Sequence, residues 1–389
     1  MPPGTSRTGV VNVRINRALT LTYYSDIFRL PMTTPLHIIE PTLVDSTGHC
    51  FSFLNSLCRV AGEYPITVWC AHGSAVSFPG NVTLKRFFHR RIRRLQAWWL
   101  YRTLLLQPGR LFISTAGRSD LFLLDFASRN AIIPGKVFLY VHWFRASPAK
   151  ERQLARLAAR QPEITILAPT ESVCAVFRAA GFRHTQHVPY PISPTAEAPT
   201  LDDTQTFRHV LFAGAARHDK GLADVVSFVD LLSKSNRNVP ISLQTSAQHY
   251  NKMDESTAAS LVRLEAIGYP LLTRYSDTLG HAEYSALFRG AICLQLYSRS
   301  DFADRISGVT LDALSNGSPI VTLSGTWIAR IVNEFEAGLV VEEPTPDAVL
   351  AAVIKLMTNY QHYHRRALAA GRELQKRNNA NLLFRAITT

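Results

Sequence analysis

The chain has 389 residues, of which 47% are apolar and 18% charged, with a formal net charge of +13. That length exceeds one ordinary hydrophobic core, so two globular domains are expected. No apolar run is long enough to span a bilayer, so no transmembrane helix is expected.

The first stretch, MPPGTSRTGVVNVRINRALTLTYYSD, has no continuous apolar core and no small-residue cleavage site, so no signal peptide is expected. The five cysteines, Cys50, Cys58, Cys70, Cys174 and Cys293, form no C-x-x-C pair and are odd in number, which fits reduced thiols in a cytosolic protein. Strand-like runs then alternate with amphipathic helical stretches: PLHIIEP, PITVWCA, RLFISTA, KVFLYVHW and ITILAPT in the first half, HVLFAG, PISLQT, AICLQLY, SPIVTL and GLVVEE in the second. Such alternation predicts an α/β fold of parallel sheets covered by helices on both faces, and there are too many strands for a single sheet. Two doubly wound domains are expected, 1–193 and 208–365, joined by a Pro-, Thr- and Asp-rich linker at 194–207. A basic C-terminal helical piece, 366–389, follows.

Charge is unevenly placed. From Tyr64 to Ser119 there is no acidic residue, and nine Lys and Arg: Lys85, Arg86, Arg90, Arg91, Arg93, Arg94, Arg102, Arg110 and Arg118. Within this stretch, LKRFFHRRIRRLQAWWLYRTLLL (84–106) interleaves bases with Phe87, Phe88, Trp98, Trp99 and Tyr101. Read as a helix, it would set aromatics at a lipid boundary and bases against anionic headgroups. The alternative is a solvated basic face over core aromatics. Nucleic-acid binding is not expected, since no recognised DNA- or RNA-binding module accompanies the charge.

Four places carry chemistry. In IIEPTLVDSTGHC a strand ends and Gly48-His49 opens a helix, where a glycine permits close approach to the backbone. His142 stands at the end of VFLYVHW, where packing among aromatics is the simpler account. In VLFAGAARHDKGLADVV a strand runs into Gly214, then Arg217, Lys220 and a helix; two cations beside a helix start can neutralise a departing diphosphate. In DRISGVTLDALSNGSPIV, Asp304 precedes and Asp312 lies one turn inside a helix stopped by Asn316-Gly317. In an open parallel sheet that helix start points unpaired N–H groups into the ligand crevice, suiting a diphosphate. Asp312 could then accept from two vicinal ribose hydroxyls, and Asp304 from hydroxyls beyond the diphosphate. Ordinary helix-start acids are the competing account of both.

Taken in order, GHCFSFLNSL, ILAPTESVCAVFRAAGF, VLFAGAARHDKGLADVV and SGVTLDALSNGSPIVTLSGTW resemble the B-type (GT-B) retaining glycosyltransferases, in particular the large family-four, group 1 class, over roughly residues 36–355. The resemblance implies two Rossmann-like domains facing across a cleft, a nucleotide sugar held mainly by the C-terminal one, and no metal or other cofactor. Asp304-x7-Asp312 occupies the place of the family's Glu-x7-Glu. By the resemblance Asp312 would hold the donor ribose, Asp304 would face the donor sugar, and Ile306, Ser307, Gly308 and Val309 would offer backbone N–H groups to the diphosphate. Lys220 and Arg217 resemble the basic pair beside the diphosphate, although the family's arginine directly follows the glycine, where this chain has Ala215. Gly48 matches the glycine of the first loop, and His142 the histidine that contacts the transferred sugar.

The implied activity is hexosyl transfer, with retention, from a UDP- or GDP-sugar to a saccharide or lipid-linked saccharide in polysaccharide or glycan biosynthesis. A cytoplasmic protein is expected, with peripheral contact to the anionic cytoplasmic face of the inner membrane. The alternatives are a nucleotide-sugar epimerase of the same fold and a non-catalytic glycosyltransferase-like binding subunit.

Overall fold

Strand β1 (Leu36–Glu40) is an apolar run buried along nearly its whole length, and it nucleates the first sheet. The computed structural model describes residues 34–46, 48–192, 206–235, 237–246, 254–277 and 279–389. The N-terminal stretch read for a signal peptide lies outside them, as does the linker apart from Thr206 and Phe207.

The first sheet also contains β2 (Ile66–Ala71), β3 (Val82–Phe88), β4 (Arg110–Ile113), β5 (Val137–Tyr140), β6 (Thr165–Ala168) and β7 (His184–His187), in the order β3-β2-β1-β4-β5-β6-β7. The second contains β8 (His209–Phe212), β9 (Ile241–Gln244), β10 (Leu272–Tyr275), β11 (Ala291–Gln295), β12 (Ile320–Leu323) and β13 (Gly338–Val341), in the order β10-β9-β8-β11-β12-β13. Every pairing in both sheets is parallel. Both domains are therefore doubly wound, with strand order reversing between β1 and β4 and between β8 and β11.

Period-two alternation distributes the strands between two layers of helices. Phe112 of β4 joins a core with Phe53, Leu54 and Leu57 of the Gly48–Ala61 helix. Its neighbours Leu111 and Ile113 face the other way, onto Leu100 and Leu104 of the Arg93–Leu106 helix and Leu121 and Leu124 of the Arg118–Ala127 helix. In the second sheet Leu211 and Phe212 of β8 diverge in the same manner.

The chain ends on the first domain. After the Tyr360–Arg377 helix, Ile192 bridges to Asn379, and the Ala380–Thr388 helix lies against the Gly48–Ala61 helix. Phe384 meets Tyr64 edge-on at 5.4 Å, and buried Arg110 donates to the carbonyl of Ile387 at 2.9 Å, so a cation caps the helix's negative end.

One expectation needs correction. The basic aromatic stretch 84–106 is not one helix: its first part is strand β3, a turn follows at 89–92, and only 93–106 is helical. The pairs Trp69–Lys85 and Cys70–Arg86 extend the sheet by one edge strand, whose backbone bonds outweigh the helical preference of the charged residues. Among the described residues no helix is long and apolar enough to cross a membrane, and all five cysteines are free thiols.

Candidate functional site

The crevice outside the carboxyl ends of β8 and β11, where strand order reverses, is where an open parallel sheet receives a ligand. Beyond β8 the chain turns at Gly214 with φ +86°; a Cβ there would stand 2.7 Å from Lys220 Nζ and 3.1 Å from Val309 Cγ2. Glycine turn, lysine and helix start thus converge on one point. Gly214 N donates to Gln244 Oε1 of β9 at 2.6 Å, which fixes the turn.

A short 3₁₀ turn, His218–Lys220, carries the lysine. Its ammonium lies over the Tyr297 ring at 5.5 Å, and burial, reinforced by the charges of Arg217 and Arg305, lowers its pKa to about 8 despite Asp219 and Asp312. Arg217 clamps Asp219 with two bonds, Nε to Oδ1 at 2.7 Å and Nη2 to Oδ2. Arg305 approaches the same Oδ2 at 3.6 Å.

Beyond β11, Ser307 caps the Gly308–Ser315 helix: its hydroxyl accepts from Thr310 N at 3.3 Å. Gly308 and Val309, in the first turn, have no intrahelical acceptor for their N–H groups, and the Val309 side chain reaches the Gly214 turn. Thr310 Oγ1 donates to buried Gln295 Oε1 at 2.5 Å and ties the helix to the strand behind it. Asp312, one turn further, accepts from the Tyr284 hydroxyl at 3.0 Å. Asn316 and Gly317 end the helix as the sequence predicts, with Ser318 N returning to the Ala313 carbonyl at 2.8 Å.

Asp304 is not gathered with these groups. Its carboxylate, 46% exposed, pairs with Arg330 at 2.6 Å on the rim.

Across the cleft, Gly48 opens its helix with φ +77°, and among the described residues beyond its chain neighbours and own helix backbone no heavy atom lies within 4 Å of where its Cβ would stand. His142 follows β5 with its ring among Phe53, Tyr140 and Tyr190 at 5.0–5.7 Å. Nε2 bonds the Ser114 carbonyl at 2.8 Å, so it carries the proton and Nδ1 is the acceptor. Burial, with His49 and Arg305 nearby, holds His142 down at about 4, neutral across the physiological range. The packing account of this residue is therefore correct as far as its ring goes, while Nδ1 remains able to take a hydroxyl proton.

Several side chains of the site have no signal in the sequence. Glu40, at the end of β1, is buried and accepts from Thr42 Oγ1 at 2.5 Å, from Ser114 Oγ at 2.8 Å and from Thr115 Oγ1. It thereby fixes Ser114, whose carbonyl orients His142. Tyr284, Gln244 and Asp219 acquire their roles only by proximity. Arg305, which immediately follows Asp304 in the same loop, reaches Asp219 instead. The two domains meet here: the Arg305 guanidinium lies over Trp143 at 5.2 Å, and Arg145 pairs with Asp301 at 3.8 Å.

No protein-family model and no curated protein matches the sequence. Solved structures do match. Trehalose-6-phosphate synthase OtsA superposes with TM-score 0.66 at 11% identity, over 92% of this chain and 99% of its own. Anabaena Alr3699/HepE in complex with UDP-glucose gives 0.67 at 12%, over 91% and 98%. WaaG, a glycosyltransferase involved in lipopolysaccharide biosynthesis, gives 0.63 at 13%, over 91% and 99%. These likenesses span both domains, and the fold they share with this chain is GT-B.

Proposed function

We propose that this GT-B chain is a nucleotide-sugar-dependent glycosyltransferase that transfers a hexosyl group with retention to a saccharide or lipid-linked saccharide. The observation that carries this reading is the convergence of Gly214, Lys220 and the Ser307–Val309 helix start at the switch point of the second sheet. Backbone N–H groups, a helix dipole and cations aimed at one point suit a diphosphate. The superposition on a UDP-glucose complex supports a UDP-sugar as donor.

In this reading Ser307, Gly308 and Val309 receive the diphosphate, Lys220 and Arg217 lie beside it, and Asp312 accepts from the ribose hydroxyls. Gly48 gives the donor room on the opposite wall, and His142 Nδ1 accepts from a hydroxyl of the transferred sugar. The bond from the sugar's anomeric carbon to the diphosphate oxygen breaks, and the bond to the acceptor oxygen forms on the same face. The acceptor's proton passes to the departing diphosphate oxygen. Lys220 stabilises the charge that grows on that diphosphate. Asp304 lies on the rim near the path of the sugar, and release from Arg330 would free it to bond a sugar hydroxyl.

Asp312→Ala tests the donor site. Losing a charged partner to two hydroxyls should cost about 1.5–3 kcal/mol of nucleotide affinity. Because Asp312 is only partly buried and the helix is capped by Ser307, the fold should persist. Titration calorimetry with UDP and GDP measures this, and undiminished affinity in the variant would remove the ribose role.

The acceptor side carries a second expectation. Arg90, Arg91, Arg93 and Arg94 are exposed beside Leu95, Trp99 (52% exposed) and Phe126 (74%), so bases rim an apolar strip on the first domain. This supports contact with an anionic membrane surface, each base contributing on the order of 1 kcal/mol and less at high salt. Changing the four arginines to Glu should abolish sedimentation with anionic vesicles at low salt. Activity on a water-soluble acceptor should survive. Indifference of the wild type to anionic vesicles would count against the membrane and leave a soluble acceptor.

A further inference from the structure

The family resemblance implies a cation directly after the glycine turn, and Ala215 stands there. Arg217 does not simply replace it: both its Nε and its Nη2 are engaged by Asp219, and the pair is close to neutral. Arg305 differs in kind. Its guanidinium lies 4.9 Å from the ring centroid of Phe302 in its own loop and 5.2 Å from that of Trp143 in the opposite domain. Two cation–π contacts hold the fork at this place.

Arg305 is also under-compensated. Among the described residues its one ion pair is Nη1 to Asp219 Oδ2 at 3.6 Å, on a carboxylate already claimed by Arg217, and its side chain makes no hydrogen bond. Burial and the neighbouring charge of Arg217 depress its pKa, and its field is among those that depress Lys220. With Arg217 and Asp219 offsetting each other, Lys220 and Arg305 are the two cations left over beside the helix start. Asp312 offsets part of the charge on Lys220 and Asp301 part of that on Arg305, and a bound polyanion would complete the group.

We propose that Arg305 is the second diphosphate-binding cation of this site, supplied from the loop after β11 in place of a cation at position 215. The inference rests on the donor-site reading given above and names a residue that the reading leaves out. Its ligand is the terminal phosphate of a nucleoside diphosphate, which gains charge as the sugar departs. The contact is therefore worth more in the transition state than in the bound donor.

The test compares nucleoside diphosphates with monophosphates, which share base, ribose and first phosphate. Calorimetry with UDP, UMP, GDP, GMP, dTDP and dTMP identifies the pair that the wild type binds. Arg305→Met should lose about 10–100-fold in diphosphate affinity while monophosphate affinity stays within about twofold; this range is that of one charge-assisted contact. Asp312→Ala, in contrast, should weaken both alike. Free guanidinium at millimolar concentration should restore part of the lost affinity in Arg305→Ala and leave Lys220→Ala unaffected. An unchanged diphosphate-to-monophosphate ratio in Arg305→Met, or an equal loss of both ligands, would overturn the assignment while the donor site stands. A wild type that binds none of the six nucleotides would overturn the donor site and the assignment with it.

Discussion

Replacement of Lys220 by Ala is expected to reduce turnover about 10²–10³-fold, the range for removing one preorganised group that stabilises developing charge. The loss should fall mainly on kcat, because charge on the diphosphate is greatest as the sugar leaves. The fold should not suffer. Lys220 is a desolvated cation near Arg217 and Arg305, and its lowered pKa means that the folded state binds its proton less readily than the unfolded chain does. As pH falls from the lysine's ordinary range toward 8, this proton therefore costs the fold stability, and the cost persists below 8. The variant should melt no earlier than wild type at pH 7, which separates lost chemistry from lost structure. Function has the opposite dependence, since it needs the cation. Diphosphate affinity of the wild type should hold from pH 6 to about 8 and then decline by up to tenfold per pH unit. His142, neutral throughout this window, does not contribute to the decline. A Michaelis constant raised with kcat intact would make Lys220 an ordinary binding residue, and an affinity flat to pH 9.5 would show that its charge does not hold the diphosphate.

Gly221→Ala should be the most destabilising single-methyl change near the site. Gly221 joins the 3₁₀ turn to the Leu222–Lys234 helix with φ +76°, and an added Cβ would stand 2.1 Å from the carbonyl oxygen of Leu296. The left-handed backbone costs about 1–2 kcal/mol for an L side chain and the overlap about 1–3 kcal/mol more, for a total of roughly 2–5 kcal/mol. The obstacle is backbone of β11's continuation, so no flexible side chain can yield. A melting temperature lower by on the order of 10 °C is expected in a thermal scan. Lys220, displaced with its turn, should lose its place beside Gly214, so diphosphate affinity falls as well. A variant that melts with wild type would show that β11 and the turn can part without cost, and the account of how this glycine positions Lys220 would fail.

The sequence by itself determined the class of fold, the two parallel sheets and the loops that carry the site. Interior strands such as β8 (HVLF) and β11 (AICLQ) are buried on both faces, so they are continuous apolar runs visible without any partner. The strand-like runs do not include β3, β7 and β10, which are edge strands with mostly polar or half-exposed residues; only pairing with a neighbour makes them strands. The glycine turn at Gly214 and the helix start before Asp312 were legible too, because a glycine turn after a strand and a helix start are written in consecutive residues. Which side chains converge was decided by tertiary structure alone. Asp304 lies in the expected loop but is drawn to Arg330 of the Trp327–Phe335 helix, while Arg305 beside it lies near the rings of Phe302 and Trp143. Glu40 reaches His142 only through Ser114, which lies 74 residues away in the chain. Charges and rings act over a few ångströms irrespective of separation along the sequence, so their partners are fixed only when β1, β4, β5, β8 and β11 bring five loops to one cleft.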